Sequence, residues 1–158
     1  MKQKEMSYVL KAIDGTVIVA CLVLMFFILP RLAGDSLGGP QVFAAYWPFL
    51  AFSWIGLAPL VFLAVIAWGI FSDIGRDNSF SERNAARLRA MSYLSAATIL
   101  VWLGGLAYFA FSGLSVLGIM LAFAVAMAIM VVMAVVCACL SHLTAKAAQI
   151  KHENDLTV

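Results

Sequence analysis

Four long stretches of this chain are almost wholly apolar, and short polar segments divide them. They run from about Tyr8 to Pro30, Pro48 to Phe71, Met91 to Phe111 and Val116 to Leu140. A helix rises about 1.5 Å per residue and the hydrocarbon core of a bilayer is about 30 Å thick, so roughly 20 apolar residues cross it. All four stretches meet that length, and the last three hold no Asp, Glu, Lys, Arg or His. The pattern predicts an all-α integral membrane protein: four transmembrane helices in one antiparallel bundle, a single domain over residues 1–158.

The polar connections refine this picture. Residues 31–47 open on a glycine-rich run without periodicity, which predicts a flexible connector that re-enters the interface near Tyr46 and Trp47. In the 72–90 connection, Ser79 and Glu82 have capping-box spacing, so the third helix is expected to start near Phe80, ahead of its membrane span. No proline or glycine follows Val125. The fourth helix should therefore continue past Leu140 as an amphipathic extension, with Leu140, Leu143, Ala147 and Ile150 on one side, into a tail over residues 141–158.

Charge orients the bundle. Of 18 charged residues, only Arg31 and Asp35 fall on the side opposite the other 16. Among Lys and Arg, nine lie on one side and Arg31 alone on the other, so the positive-inside rule places both termini and the 72–90 loop in the cytoplasm. Lys2, Lys4 and Lys11 ahead of an apolar core resemble a signal peptide, but the stretch is long for one and its removal would separate the two charged connections. Retention is the expectation.

Composition agrees with a bilayer solvent: 65% of residues are hydrophobic and 11% charged, against about 45–50% and 25% in soluble proteins. A net charge of +2 offers no basic footprint for direct nucleic-acid binding. Cys21, Cys137 and Cys139 lie inside apolar runs and read as small hydrophobes. His142 and His152 lack partners at metal-ligand spacing, and no phosphate loop or nucleophile elbow is present, so no cofactor, metal or enzymatic activity is expected.

Within the spans, few residues carry chemistry. Asp14 is the only ionisable residue well inside one, and it reads chiefly as an interfacial anchor near Lys11 and the loop arginines, secondarily as a proton or cation site. Gly118, Ala122, Ala126, Ala134 and Ala138 form an every-fourth-residue row, interrupted only by Met130, expected to pack on another span, or on a second copy of the chain. Gly104-Gly105 invites a close crossing, and Pro59 a kink. The distinctive residues gather on the charged face: Arg76, Asn78, Phe80, Glu82, Arg83, Asn84, Arg87 and Arg89, with Glu153, Asp155 and Leu156 from the tail, as a docking patch. Arg83 and Arg87, four apart on a helix, repel unless an anion relieves them.

The run Ile74-Gly75-Arg76-Asp77-Asn78-Ser79-Phe80-Ser81-Glu82-Arg83-Asn84, then Arg87-Leu88-Arg89, with the closing Glu153-Asn154-Asp155-Leu156-Thr157-Val158, resembles the uncharacterised bacterial membrane family called domain of unknown function 2975 across nearly the whole chain. That resemblance implies a small inner-membrane protein, typically encoded beside a short helix-turn-helix regulator, and establishes no activity. The combined expectation is a non-enzymatic regulatory protein whose cytoplasmic face binds such a regulator. Alternatives are a small oligomeric transporter or pore using Asp14, reminiscent of four-span multidrug carriers but lacking their polar route, and a structural subunit of a larger membrane complex.

Overall fold

The computed structural model describes residues 3–36, 42–112 and 117–156. Helix α1 (Gln3–Val23) passes through a π-turn (Leu24–Ile28) into α2 (Leu29–Ser36), followed by α3 (Val42–Ile74), α4 (Glu82–Phe111) and α5 (Leu117–Leu156). The described residues contain no strand. Four helical segments, Gln3–Gly34, Tyr46–Ile74, Glu82–Phe111 and Leu117–Asn154, are long and apolar enough to cross a membrane. The protein is a four-helix membrane-spanning bundle.

Its helices alternate in direction. Ser7 at the start of α1 donates to the carbonyl of Phe71 near the end of α3, and Ser141 late in α5 donates to the carbonyl of Ala85 in the first turn of α4. One end of the bundle therefore gathers the start of α1, the α3–α4 turn and the end of α5, which together hold most of the charge. We call this the charged end.

The π-turn has a local cause. Pro30 has no N–H and removes a bond from the helix ladder. The amide of Leu29 reaches back five residues to Leu24, which leaves the Met25 carbonyl without its usual donor. The Trp54 indole fills that place, donating to Met25 at 2.9 Å, and this ties α1 to α3. In lipid a freed backbone carbonyl needs such a partner, because no water reaches it.

Two expectations about the connections are corrected. Residues 31–36 continue as helix and α3 begins at Val42, so the expected 31–47 loop is helical at both of its ends, and residues 37–41 lie outside the described residues. A helix satisfies its own backbone at the interface, and the single Gly34 within 31–36 does not interrupt it. The N-cap of α4 is Ser81, not Ser79: its hydroxyl accepts from the Asn84 amide at 3.3 Å, and Glu82 becomes the first helical residue. The extension of α5 to Leu156 is as expected.

Each long helix packs on the next, α1 on α3, α3 on α4 and α4 on α5, the last pair most extensively. Ser95, Thr98, Trp102, Gly105 and Phe109 on α4 are buried at alternating three- and four-residue steps. Facing them on α5, Ile119, Phe123, Met130, Cys137, Ser141, Thr144 and Ala148 are buried, with Ala126 and Ala134 half-buried between them. This is the spacing of helices packed side by side at a small angle. The predicted small-residue row is only partly at this seam: Ala126 and Ala134 approach it, while Gly118, Ala122 and Ala138 are exposed. A four-residue step advances about 40° beyond a full turn, so such a row drifts off any one face.

Away from the charged end, close packing does the work. The Phe123 ring stacks on Phe49 and meets Trp102 and Phe109 edge-on, with centroids 5.1–6.0 Å away. Gly105 makes room for it, since a Cβ there would stand 2.7 Å from a Phe123 ring carbon, and Gly56 does the same for Trp102 at 2.5 Å. Gly104 is exposed, and a Cβ there meets Phe52 at an ordinary 3.9 Å. Only one of the two adjacent glycines forms the expected crossing.

Gly105→Ala is therefore expected to lose about 1–3 kcal/mol through overpacking. Gly104→Ala should match or exceed the parent by up to about 1 kcal/mol, because alanine favours helix. Unfolding in neutral detergent checks the pair, and equal losses would refute the assigned crossing.

Candidate functional site at the charged end

Helix α3 ends in a tight turn built on Asp73. Its carbonyl accepts from the amides of Arg76 and Asn78, and the turn closes through Asp77, which adopts φ 61°. Asp and Asn tolerate that left-handed region better than most residues. An acid in the last turn of a helix opposes the negative end of the helix dipole and so calls for a cation.

Arg87 supplies it. Its Nη1 donates to Asp73 Oδ2 at 2.6 Å, joining α4 to α3. The guanidinium lies against Gly69, where a Cβ would stand 2.9 Å from Arg87 Cζ, so the slot exists only because residue 69 has no side chain. The same Nη1 donates to Asn84 Oδ1 at 3.0 Å. Asn84, only 1% exposed, turns its amide toward the 75–81 segment and donates to the carbonyls of Asn78 and Ser79 at 3.2 and 3.1 Å. Asp73, Arg87 and Asn84 thus form a lock that fixes the turn to both helices.

This lock divides the predicted docking patch. Asn84 is buried and Arg87 half-buried, and both are partnered, Arg87 by Asp73 of the same chain. Arg83 is exposed. Asn78, Phe80 and Glu82 line one groove of about 350 Å³ with Ser81 and, from α5, Ala148, Lys151 and His152. Phe80 is 60% exposed there, a large apolar ring among polar groups. Arg89 belongs to a separate recess with Ser92, Tyr93, Ala138, Ser141 and His142. Arg76 belongs to a third, between α1 and α3. Glu153 is exposed on the last turns of α5, and the side chains of Asp155 and Leu156 lie outside the described residues.

Asp73, Lys151 and His152 did not figure in the sequence-based patch. Asp73 was legible through its position, an acid at a helix C-terminus opposite an arginine-rich helix start. The two α5 residues had no such signal, because only the crossing of α5 over the turn brings them to Phe80.

Asp14 is buried, 8% exposed, and its Oδ2 has no hydrogen-bond partner. The anchoring contacts expected of it go elsewhere: Lys11 Nζ lies over the Trp68 ring at 5.8 Å, and Arg87 is held by Asp73. Among the described residues no three His, Cys, Asp or Glu side chains gather at metal-binding distance.

Asp73→Asn and Arg87→Gln should each cost about 1–3 kcal/mol, since each leaves a charged partner poorly satisfied. Their double variant should lose clearly less than the sum, which a double-mutant cycle in detergent measures. Asn84→Ala should speed amide exchange at Asn78–Ser81 while leaving the middle of α5 unchanged. Additive losses in the cycle would show that the ion pair contributes no coupling.

Comparison with curated proteins and with solved structures yields no match. Residues 33–158 match the family model described as "Protein of unknown function (DUF2975)". The match takes in the 72–90 connection, the whole lock and α5, while α1 lies outside it, so it is narrower than the near-complete likeness read from the motifs. With most of its length matched, the chain belongs to the DUF2975 family of proteins of unknown function.

Proposed function

We propose that this is a non-enzymatic regulatory protein of the bacterial inner membrane, with its charged end and both termini in the cytoplasm. The groove between the α3–α4 turn and the end of α5 holds a small helix-turn-helix regulator. The observation that carries this reading is the groove around Phe80: an exposed aromatic ring flanked by Glu82 on one wall and Lys151 and His152 on the other. An apolar anchor with a charged rim is the usual composition of a protein-binding hot spot.

Orientation is supported by the nine-to-one distribution of Lys and Arg. The partner's class is supported by the family resemblance of the 74–89 run and the tail. Release has a physical route, since one wall of the groove is locked to α3 and α4 and the other rides on α5. A change in α4–α5 packing opens or closes the groove without disturbing the turn.

A photo-crosslinking residue placed at Phe80 in native membranes should capture a small DNA-binding protein, and the same probe at Phe111, at the opposite end, should not. Phe80→Ala with Lys151→Glu should abolish capture, while Arg83→Gln should leave it. Crosslinks to lipid or to a second copy alone would reject the docking reading. Labelling of Arg83→Cys by an impermeant thiol reagent from outside intact cells would reject the orientation.

One observation favours a second reading, a carrier coupled through Asp14. Its Oδ2 is buried without a hydrogen-bond partner, and so, on α4, which does not pack on α1, are Ser95 Oγ and Trp102 Nε1. A buried carboxylate in a span is costly whatever its role, and its presence there points to a site for an ion or proton. Cation or proton flux into liposomes that disappears with Asp14→Asn, together with failure to capture a soluble partner, would favour this reading over docking.

A further inference from the structure

The third recess at the charged end is chemically unlike the Phe80 groove. It is a crevice of about 260 Å³ between the first turns of α1 and the end of α3, lined by Lys4, Ser7, Tyr8, Lys11, Ser72, Gly75 and Arg76. Three cations line it and no carboxylate does. Among the described residues, none of the three is ion-paired; Lys11 instead extends over the Trp68 ring.

Its walls are fixed. Ser7 Oγ donates to the Phe71 carbonyl at 2.6 Å, and Ser72 Oγ to the Trp68 carbonyl at 2.8 Å. Gly75 permits this closeness, since a Cβ there would stand 2.9 Å from Ser7 Oγ. Because both serine hydroxyls spend their protons on the backbone, the groups left to donate into the crevice are Lys4, Lys11, Arg76 and the Tyr8 phenol. Four donors, three of them cationic, on a small concave surface match an anion with several acceptor oxygens.

Depth narrows the anion. Trp68 and Tyr8 are exposed on the lipid-facing perimeter beside this crevice, and such rings settle at the headgroup level. The Lys11 ammonium lies over the Trp68 ring, 5.8 Å from its centroid, so this cation sits at the level of that ring. Phosphate is the anion abundant at that level.

We propose that the α1–α3 crevice is a phosphate-binding site at the membrane surface, with Lys4, Lys11 and Arg76 as its ligands and Tyr8 as an additional donor. The phosphate belongs either to an anionic phospholipid headgroup or to a soluble phosphate compound, and the same residues serve both. This inference does not rest on the docking reading, because it uses a different cleft and none of the Phe80 groove.

The full chain in phosphatidylcholine nanodiscs provides the test. Thermal stability is read after adding phosphatidylglycerol to the bilayer, and separately after adding inorganic phosphate at constant ionic strength. Stabilisation by phosphatidylglycerol alone identifies the lipid source, and stabilisation by inorganic phosphate in the neutral bilayer identifies the soluble one. In either case Lys11→Gln with Arg76→Gln should weaken apparent binding about tenfold or more. Arg83→Gln with Arg89→Gln, which removes the same charge from the same end, should change it less than about threefold. Equal weakening by the two double variants would reduce the effect to general surface charge and overturn the proposal. No stabilisation of the parent by either phosphate source would overturn it as well. Circular dichroism of the Lys11 and Arg76 variant confirms that its bundle is intact, and Lys11→Arg with Arg76→Lys, which keeps both charges, should retain binding.

Discussion

The charged end depends on one carboxylate. Asp73 stands where α3 should end in positive charge, and it is stable there because Arg87 reaches across from α4 into a slot that Gly69 leaves open. From this pair the rest follows in order. Arg87 orients Asn84, Asn84 holds the carbonyls of Asn78 and Ser79, and those residues place Phe80 and Ser81 beside α5. Because the pair is partly exposed, its Coulomb attraction is screened and its net value is modest. Its geometric consequence is larger than its energy, since it sets the angle at which a seven-residue turn leaves one helix and enters the next.

The two ends of the bundle are held by different physics. Apolar side chains gain little by exchanging lipid for one another, so association needs close packing or hydrogen bonds. Toward the opposite end, Gly105 and Gly56 admit the rings of Phe123 and Trp102, and packing dominates. Toward the charged end, side-chain hydroxyls of Ser7, Ser92 and Ser141 donate to carbonyls of neighbouring helices, each worth about 0.6 kcal/mol on average in such settings. Rings that interdigitate resist sliding more than single hydroxyl bonds do. The charged end joins α5 to α4 through such a bond, and the three recesses described above lie there.

The membrane architecture was legible because it rests on run length and charge asymmetry, which are additive along the chain. The extension of α5 was equally legible, since no breaker follows Val125. What failed to read correctly depended on a choice between near-equivalent local options. Ser79 and Ser81 both offer a capping hydroxyl, and the lock decides for Ser81 because Asn84 must sit at the third helical position to reach Asn78 and Ser79. The small-residue row rests on spacing alone, yet the seam buries Phe123 and Met130, and the bulk of Phe123 is matched by Gly105 on the facing helix. The patch joins residues of the turn, the start of α4 and the tail because they share the charged face, and the structure divides those it describes among separate recesses. The turn reverses direction within a few residues, so Arg76 and Asn78 reach different recesses, and Arg89, two turns into α4, reaches a third against α5.

That same turn connects the two sites argued for at the charged end. Arg76 lines the α1–α3 crevice and Asn78 lines the Phe80 groove, two residues apart on a segment whose amides both bond to the Asp73 carbonyl. A ligand at one site influences the other only if it binds the locked and unlocked turn with different affinity, and the influence is then equal in both directions. While Asp73, Arg87 and Asn84 hold, the turn has one arrangement and the two sites are independent. Coupling between them therefore requires the lock to open, which makes the Asp73–Arg87 pair the element on which any communication across this face must act.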